Sequence, residues 1–117
     1  MTVFTPAQFH ASEAVGGFDG MLLAHVLEHL DEPVADALLE EYLPYLRPGG
    51  RILVITPQER GYRTDGTHVR FVDGEAAAAH LQRVGAVVDR NHSFPFPRAA
   101  GRVFPYNEFV VSGRLPS

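Results

Sequence analysis

Two apolar runs, Phe18 to Ala24 (FDGMLLA) and Arg51 to Thr56 (RILVIT), flank one amphipathic stretch, and no other feature constrains the fold of this chain as much. Each run is too short for a lone helix and suits a strand buried on both faces. Between them, Asp31 is placed to cap a helix from Glu32 to about Tyr45. That helix would carry acids in its first turn and an apolar stripe of Val34, Leu38, Leu39, Tyr42 and Leu46. Pro44 must kink or shorten the last turn, and Arg47-Pro48-Gly49-Gly50 reads as a stop signal. Strand, helix, strand at this spacing predicts a βαβ unit with parallel strands.

The remaining segments extend that unit in both directions. Thr5-Pro6-Ala7-Gln8 has a helix-start pattern, with threonine at the cap, and Gly16-Gly17 would close the short helix. Gln58 to Thr67 (QERGYRTDGT) lacks hydrophobic periodicity and is expected as a loop at the end of the second strand, where function commonly sits. Asp73 can cap a helix through Ala76 to Val84, Gly85 can end it, and Ala86 to His92 is a third strand candidate. Residues 93–105 are rich in proline and phenylalanine, with Phe94-Pro95-Phe96-Pro97 expected as an extended piece. Tyr106 to Gly113 is a fourth strand, and with no helical pattern before it the last two strands should be antiparallel neighbours. The expected fold is α/β in the order βαβαββ, one domain over 1–117, with a short helix or loop at 1–16 and the strands and helices over 17–117.

Composition narrows the function classes. The 117 residues include no cysteine, which excludes disulfides, thiolate metal sites and cysteine nucleophiles. No apolar run approaches the roughly 18 to 20 residues of a membrane span, and the N-terminal stretch has no basic start followed by an apolar segment. The expectation is a soluble, unexported, cytoplasmic chain. Residues 1–46 hold eight acids and no arginine or lysine, whereas residues 47–117 hold ten arginines against six acids, a surplus of four that is too thin to mark a nucleic-acid surface. Small-molecule chemistry is the better starting point.

Four stretches carry a family likeness: FDGMLLAHVLEHL (Phe18 to Leu30), LRPGGRILVITP (Leu46 to Pro57), HVRFVDGEAAAAHLQRVGAVV (His68 to Val88) and NEFVVSGR (Asn107 to Arg114). Together they resemble the second half of a class I S-adenosylmethionine-dependent methyltransferase of the small-molecule type. The resemblance implies a partial Rossmann-like sheet made of that family's fourth to seventh strands, the last of them antiparallel. It also implies that the first three strands are missing, and with them the glycine-rich turn and the acid that hold the cofactor. Ligands of open parallel sheets bind at the carboxyl ends of the strands beside the reversal of strand order. By resemblance, Leu23, Ala24 and His25 would face the methionine end of S-adenosylmethionine. The Thr56 to Phe71 loop, with Thr56, Tyr62 and Phe71, would enclose a small-molecule acceptor, and His25 and His68 are the first choices for a catalytic base.

His25-Val26-Leu27-Glu28-His29 also matches H-x-x-E-H, the helical zinc motif of one class of peptidases. The motif follows directly on a strand and precedes a cap at Asp31, which leaves little room for the long helix such a hydrolase needs. One methyltransferase branch that modifies the 2′-hydroxyl of small-RNA ends uses a Glu/His metal cluster in these same segments, but this chain has His25 where that branch has glutamate. The simpler reading is that Glu28 and His29 start a helix and stay near the surface or satisfy backbone groups, and no metal is assigned. His80 and His92 receive no role.

Two function classes therefore lead. One is a methyltransferase domain represented by its second half and transferring a methyl group to a small molecule. The other is a non-catalytic partner or regulatory half-domain without a complete cofactor site. In either case the Phe18 to Ala24 strand would present an unpaired hydrophobic edge, open to a second copy in a homodimer or to a separate N-terminal half. A metal-dependent hydrolase is a distant third.

Overall fold

The computed structural model describes residues 6–12, 15–63 and 66–117. In chain order it contains α1 (Pro6–Ser12), β1 (Phe18–Ala24), α2 (Glu32–Tyr42), β2 (Leu46–Pro57), α3 (Glu59–Arg63), α4 (Gly74–Arg83), β3 (Val87–Phe94) and β4 (Glu108–Arg114). Short 3-10 turns lie at Leu27–His29, Leu43–Tyr45 and Arg98–Arg102. The expected capping residue Thr5 lies outside the described residues.

The four strands form one sheet in the order β1-β2-β4-β3. β1 and β2 are parallel, as the crossover through α2 requires, and β4 runs antiparallel to both β2 and β3. The expected α/β order, with an antiparallel final strand, is the observed one. Leu23, Ile52, Val54 and Val111 from the sheet meet Ala35 and Leu39 of α2 and Ala77 and Leu81 of α4 in one buried core.

Several local expectations are corrected. β1 is not buried on both faces: Leu23 is buried, but Leu22 is 62% exposed, because the described helices α2 and α4 pack on the side that carries Leu23. The Arg47-Pro48-Gly49-Gly50 stop signal lies inside β2. Phe18 pairs with Leu46 and Gly20 with Arg51, so the intervening residues bulge out, and Gly49 adopts φ +75°, a conformation that favours glycine. Val34 faces solvent, and Ala35 takes its place on the buried stripe of α2. The loop after β2 begins with the short helix α3. Of the piece expected to be extended, Phe94 ends β3, residues 95–96 bend, and the 3-10 turn Arg98–Arg102 follows it. Asp73 caps α4 as expected, its carboxylate accepting from Ala76 N at 2.8 Å, and Gly85 closes the helix at φ +93°.

This topology brings three chain segments to one end of the sheet. Ala24 pairs with Ile55 and Pro57 with Glu108, so the carboxyl ends of β1 and β2 and the amino end of β4 lie side by side. His25, Gln58 and Asn107, the residues just beyond those ends, come together at that end of the sheet.

Candidate functional site

His25 leaves β1 with φ 59°, the left-handed region that a histidine seldom occupies. Its amide donates to Ile55 O at 2.9 Å, which pins the turn to β2. The side chain is half-exposed: Nε2 contacts a carboxylate oxygen of Glu108, and Nδ1 lies 3.8 Å from Oε2 of Glu28.

Glu28 departs from the expectation for this motif. It is fully buried, and neither of its carboxylate oxygens has a hydrogen-bond partner among the described residues. The cause is the path of the chain around it. The 3-10 turn Leu27–His29 rolls Leu27 and Glu28 inward, and the segment before α4 folds across them, with Val69 N and Arg70 N donating to Glu28 O at 2.8 and 3.2 Å. Arg70 Nε adds a 2.7 Å bond to Leu30 O.

His29 and His68 close this pocket. His29 Nδ1 lies 3.2 Å from Thr67 O, and His68 Nδ1 lies 2.6 Å from Tyr62 O. The two imidazole centroids are 4.8 Å apart, and Tyr62 stacks on His68 at 4.8 Å with an interplanar angle of 14°. Phe71 meets Tyr62 edge-on at 5.4 Å and Phe109 at 5.7 Å.

The expected site residues thus divide into two groups. His25, His68, Tyr62 and Phe71 join one continuous chain of contacts, together with Glu28 and His29. Leu23 belongs to the hydrophobic core, with Ala24 exposed beside it, and Thr56 is buried with its hydroxyl donating to Val72 O at 2.7 Å. Thr56 therefore acts as a tie between β2 and the segment that carries Phe71.

Sequence reasoning missed the supports of this end of the sheet. Gln58 is fully buried; its Nε2 donates to Ser93 Oγ and Glu108 O at 2.8 and 3.1 Å, and its Oε1 accepts from Asn107 Nδ2 at 2.9 Å. Arg98 clasps Glu59 with two bonds of 2.7 and 2.9 Å, and these hydrogen bonds outweigh burial to hold the Glu59 carboxyl down to about 2. His80, left without a role, is a buried hub: Nδ1 lies 2.5 Å from Asp36 Oδ1 and Nε2 accepts from Arg70 at 2.7 Å. Burial works against the Asp36 carboxylate, but the hydrogen bonds from His80 and Arg83 overcome it and lower its pKa. For Gln58 and Glu59 the only signal was polar side chains in a segment without hydrophobic periodicity, and for Asp36 and His80, on two patterned helices, there was none.

Solved structures share this fold. A SAM-dependent methyltransferase from Archaeoglobus fulgidus superposes with a TM-score of 0.72 at 18% identity, covering 96% of this chain and 66% of that one. The 1,6-didemethyltoxoflavin-N1-methyltransferase of Burkholderia thailandensis, solved with its substrate and S-adenosylhomocysteine, gives 0.64 at 20% identity, covering 90% of this chain and 47% of that one. The chain carries the class I methyltransferase fold. The N-methyltransferase NodS of Bradyrhizobium japonicum agrees, with a TM-score of 0.63 at 17% identity over 90% of this chain and 55% of its own. The chain thus spans about half to two thirds of the length of these three structures. No protein-family model matches the sequence, and no curated protein does. Among the described residues, no helix is long and apolar enough to cross a membrane.

Proposed function

We propose that this chain is the carboxyl-terminal half of an S-adenosylmethionine-dependent methyltransferase acting on a small-molecule acceptor. The observation that carries the reading is the convergence of His25, His68, Tyr62 and Phe71 at the carboxyl ends of parallel β1 and β2, within a sheet of methyltransferase order. The cofactor supplies an electrophilic methyl group. The backbone of Leu23, Ala24 and His25 would hold its methionine end, and the small exposed side chain of Ala24 permits close approach. Tyr62 and Phe71 offer aromatic surface to an acceptor, and Thr56 anchors the segment that bears Phe71. His25 or His68 would take the acceptor's proton, and orientation of the reactants supplies most of the rate.

A second reading has its own support. Neither turn that follows a parallel strand, His25-Val26 after β1 or Gln58 after β2, contains glycine, so neither forms the close phosphate-like cradle of a glycine-rich strand-to-helix turn. This favours a partner or regulatory half-domain whose cofactor site is completed by another polypeptide segment, either a second copy or a separate N-terminal half.

Calorimetric titration of the purified chain with S-adenosylhomocysteine separates the two. Saturable one-site binding is the expected result for the methyltransferase reading, and absence of binding at millimolar ligand leaves the half-domain. Where binding is found, an acceptor screen with labelled cofactor should show lower turnover for His25→Ala or His68→Ala. Unchanged rates in both would remove the base assignment.

A further inference from the structure

We infer that His25, Glu28, His29 and His68 form a site for a divalent transition-metal ion of the zinc class. This inference does not rest on the methyltransferase reading, and with the ion bound His25 and His68 are its ligands in place of the proton-accepting role proposed above. The observation that points to a ligand is Glu28, fully buried with both carboxylate oxygens lacking a hydrogen-bond partner. A carboxylate taken out of water without donors is strongly unfavourable unless a cation satisfies it. Glu28, His29 and His68 each place one ligand atom within 4.8 Å of the others, and His25 Nδ1 stands 3.8 Å from Glu28 Oε2.

The three imidazoles are each positioned through one ring nitrogen by an oxygen partner, as metal-binding imidazoles commonly are. His68 Nδ1 lies 2.6 Å from Tyr62 O, and His29 Nδ1 lies 3.2 Å from both the carbonyl and the hydroxyl oxygen of Thr67. His25 Nε2 meets the Glu108 carboxylate, and its Nδ1 faces Glu28. Three imidazole nitrogens and one carboxylate oxygen suit zinc, which binds such atoms at about 2.0–2.2 Å, whereas magnesium and calcium take oxygen ligands. Tetrahedral ligands at that range are roughly 3.4 Å apart. The ligand atoms of Glu28, His29 and His68, within 4.8 Å of one another, stand wider than this, so binding would draw them inward. The frame around it is already held by the bonds from Val69 N and Arg70 N to Glu28 O.

The test is a titration of the chelator-stripped chain with zinc by calorimetry and with cobalt by visible absorption. The expected result is one ion per chain, the intense visible bands of tetrahedral cobalt, and a melting temperature that rises with zinc. Glu28→Gln and His68→Ala should each weaken binding by about tenfold or more, and Glu108→Gln, acting through His25, by about 10- to 100-fold with a shifted cobalt spectrum. His10→Ala, a histidine remote in sequence and paired with Glu41, should bind as the parent does. Circular dichroism checks the fold of every variant, and should Glu28→Gln fail to fold, His29→Ala on the 3-10 turn carries the same expectation. Absence of stoichiometric binding, affinity indifferent to these substitutions, or equal competition by millimolar magnesium would each overturn the site.

Discussion

The Gln58 carboxamide oxygen accepts a 2.9 Å hydrogen bond from Asn107 Nδ2, and both side chains are fully buried at the end of the sheet where the candidate site lies. Asn107 Oδ1 in turn accepts from Phe96 N at 2.8 Å, so one side chain ties the start of β4 both to the end of β2 and to the segment after β3. Asn107→Ala should cost about 2–3 kcal/mol, because it strands a buried acceptor and a backbone donor together. Urea unfolding checks this, with a lower midpoint at an unchanged slope as the expected outcome.

The close approach of Gly101 to the same glutamine gives an independent measure of how tightly this corner is packed. A Cβ at Gly101 would lie 1.7 Å from Gln58 Oε1 and 2.5 Å from its Cβ, whereas one at Gly66 meets nothing within 4 Å. Gly101→Ala should therefore destabilise by about 1–3 kcal/mol, and Gly66→Ala should be near neutral. Thermal melts of the two variants side by side decide it, and equal melting temperatures would contradict the packing described here.

His25 holds φ 59°, where a side chain adds backbone strain that glycine avoids. His25→Gly and His25→Ala both lose the contacts with Glu28 and Glu108, so their difference isolates the backbone. The glycine variant should be the more stable by about 1 kcal/mol in chemical denaturation. An alanine variant as stable as the glycine one would mean that the turn relaxes to a right-handed conformation.

Glu59 contributes stability that depends on pH with a defined sign. Its carboxyl is held down to about 2 from an ordinary value of 4.5 by the Arg98 hydrogen bonds. A depressed acid stabilises the fold above its unfolded value, and that contribution disappears as pH falls through the folded one. The window for this loss is therefore pH 4.5 down to about 2. Solvent screening of the partly exposed pair limits the effect to about 1 kcal/mol. Comparison of parent and Glu59→Gln stabilities at pH 6 and pH 3 should show the gap between them shrinking at the lower pH.

Asp36 and His80 are 44 residues apart in sequence, yet their contact links α2 to α4. Asp36→Ala leaves the buried His80 Nδ1 without its acceptor and should cost about 1–3 kcal/mol. Loss of protection at the α2 and α4 amides in hydrogen exchange would locate the damage, and an unaltered exchange pattern would deny the link.

The elements of this fold were legible in the sequence because they depend on short-range pattern. The apolar runs at 18–24 and 51–56, the stripe between them, and Asp73 and Gly85 around α4 each state their conformation within a few residues. The antiparallel last pair followed from the absence of a helical pattern between the third and fourth strands. His25, His68, Tyr62 and Phe71 were placed near one another through the family resemblance, which puts the site at the carboxyl ends of the strands.

Tertiary structure alone decided how those residues are used. The inward roll of Glu28 under residues 69–70, the contact of His68 with His29, the Gln58–Asn107 pair and the Asp36–His80 link all join segments distant in sequence. Their formation depends on loop paths, which carry no hydrophobic period, and on which polar groups burial leaves in need of a partner. Periodicity thus determined the strands and helices, while desolvation of polar side chains at the end of the sheet determined the site.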